Sequence, residues 1–455
     1  MKKWPLASIS LALTALIPTV HAETTAQPPS EWRQELDTLR QRLAELEARL
    51  KQSETAASAQ SAGMTVEQQQ QVNRLEARAD AADERSETMG IKGLTLSGYM
   101  DPTFIYNQRA HRAGFQFLND GAYAYDNSFM GSMLLDITKT TENGTVWKLG
   151  LTPQRSTQGV AEGISSIVQE ANVTLPIPGS NTTKILAGLV PDWAGYEAVD
   201  PVKNKLVTHN LLFDFSAATE YVGAGLVWAS GDWEAKGMLA NINASRRDDG
   251  EKAPGLAFRL DYVGQEYWGG GLSGLLGKAY NGQMDADSRV NLLTLDGWYE
   301  RGDLSLAGQL TYGNQKKAAI TRGDDGELRD AAWYGASATA AYKFRPRLTG
   351  IVRADYVVNR KNGGGLLGGY TETDSVNGIG PGMVYRDGEW VVGNASKGVN
   401  RAAFTVGLNY AYNENTAFKL EYRLDHANGN VFLDSASGAY KRTNQLIGTS
   451  VVVSF

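Results

Sequence analysis

From Leu94 to the C-terminus, apolar and polar residues change places at nearly every step, and no other property constrains the fold as strongly. In "AFKLEYRLDHA", Ala417 to Ala427, the apolar Phe418, Leu420, Tyr422 and Leu424 alternate with Lys419, Glu421, Arg423 and Asp425. A period of two is that of a β-strand, whose side chains point in turn to opposite faces. One face therefore needs an apolar medium and the other an aqueous one. A half-exposed soluble sheet meets that demand, and so does a membrane strand around a watery lumen. The device recurs throughout. Leu94, Leu96, Met100, Phe104 and Tyr106 oppose Thr95, Ser97, Asp101, Thr103 and Asn107. Leu256, Phe258, Leu260 and Tyr262 oppose Arg259 and Asp261, and Val352, Ala354 and Tyr356 oppose Arg353 and Asp355.

The connections favour the membrane. Short turns at Ser230–Asp232, Gly269–Gly271, Arg301–Asp303, 343–347 and 413–415 alternate with longer polar links such as 245–252 and 321–330. Short turns at one end and long loops at the other are the layout of a transmembrane barrel. Strands are expected near 94–107, 127–138, 144–153, 165–175, 183–190, 219–230, 232–243, 254–267, 271–281, 289–300, 303–314, 330–344, 347–360, 399–413, 416–427 and 443–455. The fold class is thus all-β, a transmembrane antiparallel β-barrel of 16 strands, with 14–18 as the range, over residues 90–455. After the N-terminus no run of about 18 apolar residues occurs, so membrane-spanning helices are not expected.

Two segments precede the barrel. "MKKWPLASISLALTALIPTVHA" (residues 1–22) has two lysines, an apolar stretch and a small-residue end, and reads as a signal peptide cleaved after Ala22. Residues 23–31 form a polar tether, and 32–88 a periplasmic helical segment. Trp32, Leu36, Leu39, Leu43, Leu46 and Leu50 are spaced by fours and threes, which predicts a coiled-coil seam with charged flanks. A single amphipathic helix packed on its own protein is the competing reading. The chain lacks cysteine, which suits a large closed sheet in an oxidising compartment. With a net charge of −6, no basic cluster points to nucleic acid.

The chain ends in "LIGTSVVVSF", with Ile447, Val451, Val453 and Phe455 on one face. Together with the leader, the alternation and Gly98-Tyr99-Met100-Asp101 in the first strand, this resembles Gram-negative outer-membrane β-barrel porins that carry a coiled-coil prefix. "AGLVPDWAGYE" at 187–197 adds a little support. The resemblance implies a passive channel in the outer membrane with a periplasmic N-terminal segment, association as a homo-trimer, and Phe455 as the signal read by the barrel insertion machinery. It also implies a third loop folded into the pore.

If the apolar faces meet outer-membrane lipid, the opposite faces line water. The expected pore-lining acids are Asp101, Asp136, Glu170, Glu234, Asp261, Asp296, Glu300, Asp355, Glu421 and Asp425; the bases are Lys148, Lys236, Arg259, Arg353, Lys419 and Arg423. This excess of acids predicts weak cation preference. Pairing of the same charges across strands, merely stiffening the barrel, is the alternative use. The link 191–218 is too long and too apolar for an exposed loop. Folding it into the lumen would cover Trp193, Tyr196, Leu206, Leu211, Leu212, Phe213 and Phe215, and bring Asp192, Glu197 and Asp200 to a constriction. Alternatively Leu206–Phe215 is itself a membrane strand.

The function expected is passive diffusion of small polar solutes or ions. Substrate-specific uptake is one alternative. A structural or adhesive barrel, with peptidoglycan or a periplasmic protein as partner of the helical prefix, is another. An enzyme is not expected, nor any metal or cofactor. His111, His209 and His426 are dispersed, and His209 near Asp214 is the one acid–His grouping.

Overall fold

The computed structural model describes residues 92–117, 130–152, 167–218, 220–243, 254–264, 266–323, 325–361 and 379–455. The expected signal peptide, tether and heptad seam lie outside the described residues.

The chain enters with β1 (Leu94–Met100) and β2 (Thr103–Asn107), one path interrupted at 101–102. β3 (Arg112–Gln116) and β4 (Met133–Thr140) form the second path, because β3 pairs with β2 while β4 pairs with β1. Next come β5 (Val146–Leu151), β6 (Val168–Pro176) and β7 (Thr183–Pro191), then a helix α1 (Leu211–Ser216). After it follow β8 (Glu220–Ser230), β9 (Trp233–Ile242), β10 (Gly255–Tyr262), β11 (Trp268–Asn281), β12 (Ala286–Arg301), β13 (Leu304–Gln315), β14 (Ala331–Arg345) and β15 (Leu348–Lys361). A small hairpin, β16 (Met383–Arg386) and β17 (Glu389–Val392), precedes β18 (Arg401–Ala411) and β19 (Thr416–Ala427). A second, β20 (Phe432–Asp434) and β21 (Ala439–Lys441), precedes β22 (Thr443–Ser454).

The main sheet has 18 strand segments. Counting β1 with β2 and β3 with β4 as single paths leaves sixteen antiparallel staves, the number expected. β22 pairs with β19 on one side and with β1 and β2 on the other, which closes the sheet. At the seam, Gly98 and Phe455 exchange both backbone hydrogen bonds, at 3.1 and 3.2 Å. Closure removes the exposed edges that an open sheet of this size would leave.

Two expectations fail locally. The second strand was expected over 127–138, but its first part is β3. Asn107 holds the turn, its side-chain oxygen accepting the N–H groups of Arg109 and Ala110. The chain therefore reverses at once and inserts 117–132 within the stave. The turn expected at Gly269–Gly271 lies inside β11; the actual turn is 263–267. Gly271 is there because a Cβ would come within 2.5 Å of the Arg259 guanidinium and the Asp261 carboxylate. The glycine makes room inside the wall and does not bend it.

The outward side chains are the apolar ones. Leu293, Leu295, Leu310, Val352, Tyr356, Phe404, Leu420 and Tyr422 are all exposed. The inward positions are less watery than the alternation implied. Met238, Leu275, Val290, Leu292, Trp333 and Val357 are buried in one apolar cluster with Leu211, Leu212 and Phe215 of the inserted helix. These strands are apolar on both faces there, because something other than water covers the inside.

Candidate functional site

Connections at the end where β1 begins and β22 ends are short. Those at the other end run 108–111, 152–167, 192–219, 243–254, 282–285, 316–330, 362–400 and 428–442. The third, 192–219, folds into the barrel. Leu206–Phe215 is not a barrel strand. Asn210 caps α1, its side-chain oxygen accepting from Leu212 N and Phe213 N at 2.9 and 2.8 Å. The helix packs on β13, β14 and β15, and Trp333 donates its indole N–H to Ser216 Oγ at 2.8 Å. A helix of six residues does not persist alone. Burying Leu211, Leu212 and Phe215, each worth roughly 1.5–3 kcal/mol, is what keeps it.

The polar part of the loop is held by the inward charges of β15 and β19. Lys419 donates to the carbonyls of Pro201 and Asn204 at 2.6 and 2.8 Å. Glu421 accepts from Val207 N at 2.7 Å, Thr208 N at 3.1 Å and Thr208 Oγ1 at 2.7 Å. Arg353 donates to Thr208 O at 2.6 Å and His209 O at 2.9 Å, and pairs with Glu197 at 2.9 Å and Asp355 at 3.2 Å. Arg423 reaches His209 O at 3.3 Å and Asp425 at 3.2 Å. Glycines on both sides allow the close approach: a Cβ on Gly195 of the loop, at φ +79°, would run into the Gln309 side chain on the wall. Leu206 and Val207 lie against Gly407 and Gly448, where a side chain would meet them.

Six of the expected lining residues, Arg353, Asp355, Lys419, Glu421, Arg423 and Asp425, thus point inward as the alternation predicts but are buried beneath the loop. Asp101 and Asp296 are buried as well. Arg259 gathers Asp261 at 2.7 Å, Asp296 at 2.8 Å and Trp193 O at 2.7 Å. Arg401 was missed. It lies between the rings of Phe215 and Phe432, 5.2 Å from each, and pairs with Asp425 at 2.9 Å. Its parity with polar Thr405, which alternates with apolar Phe404 and Val406, is the signal in the sequence.

Of the three expected loop acids, Glu197 meets a wall base, Arg353. Asp192 accepts from the Tyr221 hydroxyl. Asp200 pairs with Lys203 of its own loop at 2.6 Å. Asp200 is also within electrostatic reach of Tyr99, Asp136 and Lys148 across the lumen. There Lys148 sits between Glu170 at 2.7 Å and Asp136 at 3.5 Å, with a third of its side chain exposed. Lys205 reaches Glu300 at 3.5 Å. Lys236 stands over the Trp193 ring at 5.0 Å, and Glu234 is half-buried two residues away. The expected lining charges that stay partly exposed are therefore Asp136, Lys148, Glu170, Glu234, Lys236, Arg259, Asp261 and Glu300.

Burial pushes His209 down to about 3, so its imidazole is neutral. It stacks on Phe213 at 4.0 Å, with Nε2 2.9 Å from Ala198 O and Nδ1 4.0 Å from Asp214. These contacts are those of a packing residue. Burial pushes Asp192 up to about 6, against the Tyr221 hydrogen bond. Among the described residues, no three His, Cys, Asp or Glu side chains are grouped to hold a metal ion.

The family described as "Protein of unknown function (DUF3138)" matches residues 55–252 and 264–455. No curated protein matches the chain. The anion-selective porin from Comamonas acidovorans is 11% identical over 80% of this chain and 99% of that chain, with a TM-score of 0.51. OmpT of Vibrio cholerae is 9% identical over 80% and 97%, with a TM-score of 0.46. Salmonella typhi OmpF, in complex with daunomycin, is 12% identical over 80% and 97%, at 0.46. At such identity the first establishes shared barrel architecture alone.

Proposed function

From the premise that the chain belongs to the family described as protein of unknown function DUF3138, we propose that it is an outer-membrane channel for passive diffusion of small polar solutes or ions, weakly preferring cations. The observation that carries this reading is the partition of the inward charges. Those on β15 and β19 are spent on holding the loop. The charges left between the loop and β4–β6 are Asp136, Glu170 and Asp200 against Lys148 and Lys203, three acids and two bases. A wall with that balance raises the local concentration of cations. The porin named anion-selective shares the barrel architecture, and the charges of this loop and wall argue for the opposite sign here.

Outward leucines, tyrosines and valines suit lipid, and the short-turn end with both barrel termini suits the periplasm. The helical prefix would then lie on the periplasmic side. Strands β4–β7 have 8, 6, 9 and 9 residues, against 14, 16, 12, 15 and 14 in β11–β15. A low sector of wall suits packing against other copies, and a trimer is the assembly we favour. The mass of the detergent-solubilised protein, with and without residues 23–88, tests it: a monomeric intact protein removes the trimer.

A structural barrel is the second reading, and the tied loops at the long-loop end favour it. Asp434 pairs with Arg109 at 3.1 Å and His111 at 3.2 Å, and Thr321 donates to Ala395 O at 2.6 Å. Conductance across a planar bilayer separates the readings. Steady openings with a reversal potential favouring cations support the channel. Silence supports the structural barrel, and block by one solute class supports specific uptake.

A further inference from the structure

Arg401 opens β18, and its side chain is fully buried. A buried guanidinium needs its charge met from several sides. Asp425 meets it with one carboxylate oxygen at 2.9 Å. The rings of Phe215 and Phe432, each 5.2 Å away, meet it with the negative potential of an aromatic face. The two rings come from different parts of the molecule. Phe215 belongs to α1 in the inward-folded loop, and Phe432 to the β20–β21 hairpin at the long-loop end. Taking away either ring uncovers part of the same charge, so each ring stabilises the seat of the other.

A second contact joins the same two segments. Val207 of the inward loop, whose N–H is held by Glu421, is buried in one apolar cluster with Val431 and Phe432. Wall charges therefore hold the loop on one side, and the base of the hairpin covers it on the other.

The hairpin is fixed in its turn at the rim. Asp434 takes Arg109 at 3.1 Å and His111 at 3.2 Å from the 108–111 turn. Arg109 also donates from Nε to Thr443 O at 2.9 Å. Asn430 accepts from Met383 N at 2.8 Å and donates from Nδ2 to Met383 O at 3.2 Å. Phe432 and Asp434 are two residues apart on β20 and share its inner, buried face. Leu433 and Tyr440, register partners, take the other face. One face of the hairpin thus carries an ion pair at the rim and a ring against Arg401.

We propose that Phe432 is a positioning residue for the inward loop: the hairpin holds the loop down through Arg401, and freeing the hairpin at the rim loosens the loop. The inference deepens the channel reading, on which only its electrical consequence rests. Hydrogen exchange read by mass spectrometry on the folded full chain separates the amides of 206–217 from those of 428–442, with heat-dependent gel mobility as the control for folding. Phe432→Leu keeps an apolar side chain and removes the ring, so exchange in 206–217 should rise roughly fivefold. Phe215→Leu should act in the same direction, and the double variant should rise by less than the product of the two, since both rings serve one guanidinium. Asp434→Asn acts at the rim and leaves both rings in place, and it too should speed exchange in 206–217. Tyr440→Leu, on the other face of the hairpin, should not. In planar bilayers Phe432→Leu should broaden the spread of single-channel currents, and Tyr440→Leu should leave it as in the parent.

Parent-rate exchange in 206–217 after Asp434→Asn overturns the proposal, whether or not Phe432→Leu folds. So does parent-rate exchange there in a folded Phe432→Leu variant, or a pair of ring effects that simply multiply. A response to Tyr440→Leu as large as that to Phe432→Leu also overturns it, because general loosening of the hairpin would then be the cause. A silent bilayer recording with the exchange response intact would remove the channel and leave this inference standing.

Discussion

Glu421 and Val207 meet across the lumen, the carboxylate accepting the backbone N–H at 2.7 Å over a separation of 214 residues. The charged face of "AFKLEYRLDHA" thus serves mainly as a dock. Lys419 takes loop carbonyls, Glu421 takes loop N–H groups, and Arg423 joins Arg353 on His209 O. The strand supplies a donor, an acceptor and a donor in turn, at the spacing of one face.

Arg353→Met should therefore release the loop while sparing the barrel. The change leaves Glu197 and Asp355 buried without their guanidinium, a loss of about 3–5 kcal/mol for a broken buried pair. Limited trypsin digestion should become faster at Lys203 and Lys205, and single-channel currents should rise and grow noisier. The folded, heat-sensitive gel band should persist. A variant as protease-resistant as the parent would show that α1 alone seats the loop.

Lys148 is the base to remove in a test of selectivity. Lys148→Gln leaves three acids and one base between the loop and β4–β6, so cation preference should strengthen. Glu170→Gln should weaken it. Each residue has a solvent-exposed fraction, so the shift should shrink as salt rises toward 1 M, where screening acts within about 3 Å. Reversal potentials under a salt gradient measure both. Changes of the same sign in the two variants would place the ion path elsewhere.

The stave count and the inward folding of 192–219 were legible because both follow from local pattern. A two-residue period sets faces, and an apolar loop must find cover. The anchors were not legible, since Glu197 and Arg353 are 156 residues apart and only the closed register brings them together. "NLLTL" at 291–295 did hint at a covered interior, with Leu292 and Leu293 apolar on successive faces. The glycine run at 269–271 misled because a glycine that yields space to Arg259 looks the same in sequence as one that bends a turn.

That role makes Gly271→Val a sharp test. Its added carbons would collide with Arg259 and Asp261, and the rigid neighbours of β10 and β12 leave little room to yield. Overpacking typically costs about 1–3 kcal/mol, here with the Arg259–Asp296 bonds also at risk. The temperature at which the folded gel band disappears should fall, whereas Gly114→Ala, in open space and without a positive φ, should cost less. Equal loss in both would mean that space around Arg259 is not what limits the site.

Acid should loosen the loop through His209. Its folded value of about 3 lies below the ordinary 6.5, so the released loop binds the proton more readily. Stability from the neutral ring is complete above pH 6.5 and is lost as pH falls toward 3. At pH 5 the loss is up to about 2 kcal/mol, at about 1.4 kcal/mol per pH unit. The groups facing the ring are Asp214, whose carboxylate is 4.0 Å away, and Arg353, Lys419 and Arg423, whose positive charge opposes protonation. Asp192 acts in the other direction. Its value of about 6 lies above the ordinary 3.8, so its contribution is present below pH 3.8 and lost as pH rises through 6. Between pH 6 and 4 the two partly cancel, and removing one should expose the other. His209→Gln should flatten or reverse the acid-induced rise in trypsin accessibility at Lys203 and Lys205, and Asp192→Asn should steepen it. Identical pH profiles in the parent and both variants would assign the acid response to groups outside this loop.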